Sequence, residues 1–145
     1  MKIIDQSFSW TAAINKGLFV SVLSAILLIT PSCTSSEQTD SHLLSPKEVL
    51  DKKTNDPNVI IVDVRTPEEY AAGHIENARL INFYDTNWSE QMSQLDKNKP
   101  VIVYCAVGGR SGKAYAALQK LGFKTIYDMK GGFDAWKKNQ LPIAR

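Results

Sequence analysis

Chemistry in this chain is concentrated in Cys105-Ala106-Val107-Gly108-Gly109-Arg110-Ser111, a short stretch holding a thiol, two glycines and an arginine. A cysteine is a nucleophile as its thiolate, which is favoured where backbone N–H groups, a helix N-terminus or a cation face the sulfur. Gly108 and Gly109 can curl the backbone, because glycine reaches positive φ without steric cost. The amides of Ala106 through Arg110 can then converge on the sulfur. Arg110 adds a fixed charge on a planar donor fork. Cys105 is therefore read as the catalytic residue, and Ala106, Val107, Gly108, Gly109 and Arg110 as the anion-binding wall that receives a substrate. The opposing reading makes Cys105 a small buried hydrophobe after a strand; the Gly-Gly-Arg turn that follows argues against it. No histidine is placed to serve as a base. His42 stands at the edge of a polar segment, and His74 follows Gly73 in a turn as a structural hydrogen-bonding residue. No metal site and no cofactor are expected.

The elements around this loop set its position. Val101–Tyr104 (VIVY) is a compact apolar run, hence a buried strand that leads directly into Cys105, and Ser111–Leu121 carries Ala114, Ala117, Leu118 and Leu121 at helical spacing up to Gly122. The first helical turn presents unpaired amides and the positive end of the dipole to an anion at its mouth. Val59–Val64 (VIIVDV) reads as a second buried parallel strand. Asp63 and Arg65 at its end are candidate loop supports through an ion pair, or equally plain structural ties of the strand end. Ser45-Pro46-Lys47-Glu48 and Thr66-Pro67-Glu68-Glu69 each combine a capping hydroxyl, a proline at the first helical position and a capping-box glutamate. They start helices running to about Lys52 and Gly73. Ala78–Phe83 is expected as a strand, Trp88–Leu95 as a helix, Thr125–Asp128 as a strand, Gly131-Gly132 as a turn and Phe133–Lys138 as a final helix. Phe133 and Trp136 are expected in the core. Strands alternating with helices require parallel crossovers. The fold class is α/β, one domain over residues 43–145 with a parallel β-sheet and helices on both faces.

Several separate motifs resemble the rhodanese-like domain family. Cys105, Gly108 and Arg110 are similar to its C-x-x-G-x-R loop, and Asp63-Val64-Arg65 to the D-x-R that ends a family strand. Tyr70-Ala71-Ala72-Gly73-His74-Ile75 with Ala78 resembles the motif before the next strand, and Gly131-Gly132-Phe133-Asp134-Ala135-Trp136 the C-terminal signature. The resemblance covers Leu43 to about Pro142. It implies a sulfurtransferase in which Cys105 takes a sulfane sulfur from a donor such as thiosulfate, becomes a persulfide, and passes the sulfur to a thiol or cyanide. Its partners are then a small-molecule sulfur donor and a thiol acceptor. Two alternatives stand beside it. Rhodanese-like folds also occur as non-catalytic binding modules, which typically lack the cysteine. Related phosphatases and arsenate reductases use loops one residue longer than the six from Cys105 to Arg110, which leaves room for a tetrahedral oxyanion. A thioredoxin-like redox protein is excluded, because no C-x-x-C and no resolving cysteine are present.

The N-terminal third is different material. Leu18–Ile29 carries no charge and follows Lys2 and Lys16, the plan of a signal peptide, and the run is shorter than the roughly 20 apolar residues of a transmembrane helix. Thr30-Pro31-Ser32-Cys33 resembles a bacterial lipobox in part, with Ser32 suitable before the cysteine but Thr30 where leucine is usual. Residues 1–32 are accordingly expected to be a signal peptide, Cys33 a lipidation site that tethers the protein to a membrane, and residues 33–42 a polar linker. Localisation would be exported, on the periplasmic side of a bacterial membrane; soluble periplasmic or secreted protein is the alternative, and a retained anchor a third. With Cys33 modified, Cys105 is the one remaining thiol. The net charge of +2 reflects 17 basic and 15 acidic residues without a basic stripe, so no nucleic-acid partner is expected.

Overall fold

Two runs of apolar residues in this chain, Val59–Val62 and Val101–Tyr104, are too short to be anything but strands and too continuous to face water on either side. In the computed structural model, which describes residues 42–145, they lie in a sheet that is covered on both faces. The strands are β1 (Leu43–Leu44), β2 (Ile60–Asp63), β3 (Arg79–Leu80), β4 (Val101–Tyr104) and β5 (Ile126–Met129). They pair in the order β1-β5-β4-β2-β3, and every pairing is parallel. Alternation along β4 divides its side chains cleanly. Val101 and Val103 enter one core with Val62, Trp88, Met92, Ala114 and Leu118, whereas Ile102 and Tyr104 enter the other with Val49, Ile61, Met129, Phe133 and Trp136.

Helices α3 (Trp88–Ser93) and α4 (Gly109–Lys120) cover the first face; α1 (Pro46–Asn55), α2 (Pro67–Ala72) and α5 (Gly132–Lys138) lie on the second. Both expected capping boxes form: Ser45 with Glu48 starts α1, and Thr66 with Glu69 starts α2. The α/β class with one parallel sheet and helices on both faces is what the alternating pattern required.

Differences from expectation lie at the ends of elements and in one added edge strand. Helix α1 runs to Asn55 rather than Lys52, and the strand expected over Ala78–Phe83 contracts to Arg79–Leu80. Past Leu80 the chain still follows β2, through hydrogen bonds from Ile81 N to Asp63 O and from Phe83 N to Val64 O. Strand β1 was not anticipated, because two leucines carry no periodicity; they pair with Asp128 and Met129 at the sheet edge. Helix α4 starts two residues early, at Gly109, so that Arg110 and Ser111 belong to its first turn. Residues 1–32 and Cys33 lie outside the described residues. Among those described, no helix is long and apolar enough to cross a membrane.

Candidate active site

A parallel sheet puts the carboxyl ends of all its strands on one edge, and this is how distant parts of the sequence meet. Asp63 ends β2, Cys105 follows β4, and Gly131 follows β5. The chain leaves β2 toward β3 on one side and reaches β4 on the other, so Cys105 stands beside the point where the strand order reverses, the usual place for a ligand crevice in such sheets.

Cys105 is almost sealed, with 1% of its surface exposed. The amide of Gly108 donates to its Sγ at 3.1 Å, and the Ser111 hydroxyl lies 3.6 Å from the same sulfur. Burial pushes the thiol up, but hydrogen bonds from the Ser111 amide and hydroxyl and from the Gly108 and Val107 amides outweigh it, and the thiol lies below its ordinary range. The structure thus surrounds the sulfur with donors. Ser111, which the sequence marks only as the start of a helix, is among them. One signal could have found it: a hydroxyl six positions after the cysteine, in the first turn of a helix whose N-terminus faces the sulfur.

The curl of the loop belongs to one glycine rather than two. Gly108 has φ +112°, whereas Gly109 is the first residue of α4 and has no positive φ. The loop is also gripped from behind. Phe133 N donates to Cys105 O at 2.7 Å, and Asp134 N donates to Ala106 O at 3.0 Å. In a planar trans peptide the C=O and the next N–H point in opposite directions. Fixing Ala106 O against α5 therefore turns the Val107 N–H the other way, toward the sulfur. Gly132 makes this approach possible: a Cβ there would lie 2.4 Å from Cys105 O and 2.6 Å from Ala106 O. Gly132 is a positioning residue of the loop, and the turn expected over Gly131-Gly132 understated its role.

Asp63 and Arg65 form a buried, multiply bonded pair. Arg65 Nε donates to both carboxylate oxygens at 3.0 Å, its second terminal nitrogen donates to Asp63 Oδ2 at 2.6 Å, and that nitrogen also reaches Gly73 O at 2.7 Å. The guanidinium lies 4.0 Å from the centre of the Phe133 ring. Burial opposes the charge on Arg65, and Asp63 more than restores it. The pair therefore reaches the Cys105 loop indirectly, through Phe133 and its amide.

Arg110 differs most from expectation. Its fork is taken by Glu69, with Nη1 to Oε2 and Nη2 to Oε1 both at 2.7 Å, while the guanidinium carbon stands 5.8 Å from the Tyr84 ring centre. The Arg110 hydrogen bonds hold Glu69 down at about 2 despite some burial, so the carboxylate is ionised across the working pH range. Tyr84, beside Arg110, and Val107, in the Cys105 loop, are exposed at 67% and 66%. Ala106 is half-buried in the loop. His74 is structural as expected, with Nδ1 3.0 Å from Tyr70 O and its ring stacked on Tyr70, and His42 stacks on Tyr115. No cluster of metal-ligating side chains occurs among the described residues.

Known proteins resemble this chain in sequence and fold. The family model described as "Rhodanese-like domain" matches residues 45–139. The chain is 33% identical over 99 residues to "Probable adenylyltransferase/sulfurtransferase MoeZ" of Mycobacterium tuberculosis, with 68% of this chain but only 25% of that protein covered. It is 36% identical over 90 residues to "Thiosulfate sulfurtransferase GlpE" of Pseudoalteromonas translucida, covering 62% of this chain and 80% of that one. The crystal structure of a rhodanese-related protein from Thermoplasma volcanium superposes with a TM-score of 0.64 at 27% identity, over 71% of this chain and 97% of the other. By the extent of the family match, which spans most of the described residues, the chain belongs to the rhodanese-like domain family.

Proposed function

We propose that this protein is a sulfurtransferase that carries a sulfane sulfur as a persulfide on Cys105. The observation that supports this most is the ring of donors around Sγ: the Gly108, Val107 and Ser111 amides and the Ser111 hydroxyl. These donors favour an anionic sulfur, whether the Cys105 thiolate itself or a persulfide carried on it. With thiosulfate, the Cys105 thiolate attacks the outer sulfur, a new S–S bond forms, and sulfite leaves with the electrons of the broken bond. The resulting Cys105–S–S⁻ inherits the amide donors. A thiol or cyanide then attacks the terminal sulfur, and the Cys105 thiolate returns.

Intact-mass analysis of the purified protein before and after thiosulfate, then after cyanide, tests this reading. A gain of one sulfur atom that cyanide removes, absent in Cys105→Ser, is the expected result. Phosphate-ester hydrolysis or arsenate reduction with no persulfide from any donor would overturn it. Export directed by residues 1–32 as a signal peptide and attachment of lipid at Cys33 complete the proposal, on the pattern of lysines, an uncharged apolar run and a small residue before the cysteine.

A further inference from the structure

Arg110 is the cation of the loop, yet the structure commits it to a carboxylate from a different helix. Glu69 already has a local task, as its Oε2 accepts from Thr66 N at 3.0 Å to close the capping box of α2. The same carboxylate spans to Arg110 with two bonds of 2.7 Å, and the side chains are 33% and 18% exposed. A bidentate pair of this kind is geometrically fixed and electrically neutral from a short distance. The exposed large side chains nearby are Tyr84, beside Arg110, and Val107 of the loop itself. Lys113, one turn further along α4, is exposed to solvent, where salt screens its field.

Resting on the sulfur-transfer reading, we propose that Glu69 is a specificity-determining residue: by neutralising Arg110 it makes the mouth of the Cys105 loop select persulfide donors with uncharged tails over thiosulfate. The tail of thiosulfate is an anionic sulfonate group, and because Cys105 is nearly sealed, that tail stays at the rim while the outer sulfur enters. A rim with a free guanidinium would attract it; a rim with a paired one does not. An organic persulfide R–S–SH needs no such cation. There the Cys105 thiolate attacks the terminal sulfur, the new S–S bond forms as the donor's own S–S bond breaks, and R–S⁻ leaves with the electrons of that bond. Cys105–S–SH retains the hydrogen until it is lost to solvent.

Glu69→Gln separates charge from architecture, because glutamine also serves at the third position of a capping box. The experiment measures kcat/KM for thiosulfate and for the persulfide of an uncharged alkyl thiol, in wild type and in Glu69→Gln. The ratio of thiosulfate to alkyl persulfide should rise about tenfold in the variant, the scale of exposing one charge near a partly dry site. The gain should fade in high salt. In the double variant Glu69→Gln/Arg110→Gln the ratio should return toward the wild-type value, a coupling that a merely structural role would not produce. An unaltered or lowered ratio in folded Glu69→Gln, with wild type persulfidated by both donors, overturns the role of Glu69 alone. Wild type that takes sulfur from neither donor overturns the sulfur-transfer reading itself.

Discussion

Replacing Gly132 with alanine should disable the Cys105 loop from behind, without touching the sulfur. The added Cβ would stand 2.4 Å from Cys105 O and 2.6 Å from Ala106 O, where ordinary contact begins at 3.4 Å, and both neighbours are backbone. Gly132 also has φ +59°, a conformation that costs a residue with a side chain about 1–2 kcal/mol. Crowding a packed site adds about 1–3 kcal/mol, so a loss of roughly 2–5 kcal/mol is expected. For a domain of this size each kcal/mol lowers Tm by about 4–8 °C. Relief comes by moving the two carbonyls away from α5, which rotates the Val107 N–H away from Sγ. Thermal denaturation by circular dichroism measures the first effect. Ultraviolet absorbance of the thiolate as a function of pH measures the second, with the Cys105 pKa rising toward its ordinary value. Gly109→Ala is the control, since no atom lies within 4 Å of its Cβ position and it has no positive φ; it should be neutral or stabilising by about 0.4–1 kcal/mol. A Gly132→Ala protein with wild-type Tm and an unshifted thiolate titration would refute the clamp.

Ser111→Ala should raise the Cys105 pKa and slow persulfide formation roughly tenfold, because a donor to the anionic sulfur is lost while the amides stay; single-turnover kinetics against thiosulfate measure it. Asp63→Ala leaves Arg65 buried without its partner and should cost about 3–5 kcal/mol in urea denaturation, with a smaller loss in Asp63→Leu/Arg65→Met. The depressed Glu69 carboxyl contributes stability that is complete above its ordinary value of 4.5 and is lost as pH falls toward about 2. Between these limits acid unfolding of Glu69→Gln should be less steep than that of wild type, followed by fluorescence. Metabolic labelling with a fatty acid should mark the wild-type protein and fail in Cys33→Ser, with the label in the membrane fraction; an unlabelled wild type removes the tether and leaves the chemistry intact.

Sequence by itself determined the parts of this protein whose cause is local. Both capping boxes were legible because Ser45, Thr66 and their prolines and glutamates lie within one turn of each other. The buried strands were legible because β-branched runs such as Val59–Val64 have no polar face to present to water. The candidate cysteine was legible because it follows such a strand and precedes glycine and a helix, where backbone donors reach its sulfur. Tertiary structure decided what depends on residues far apart in the chain. Glu69 and Arg110 are 41 positions apart, and each looks complete alone, one as a capping residue and the other as an anion-binding cation. Their union follows only from a parallel sheet that delivers the ends of β2 and β4 to the same edge. Gly132 looks like a turn residue until the carbonyls of Cys105 and Ala106 are seen against its missing side chain. Local propensity encodes where the backbone bends, while the pairing of charges and the facing of amides depend on distances that only the folded chain sets.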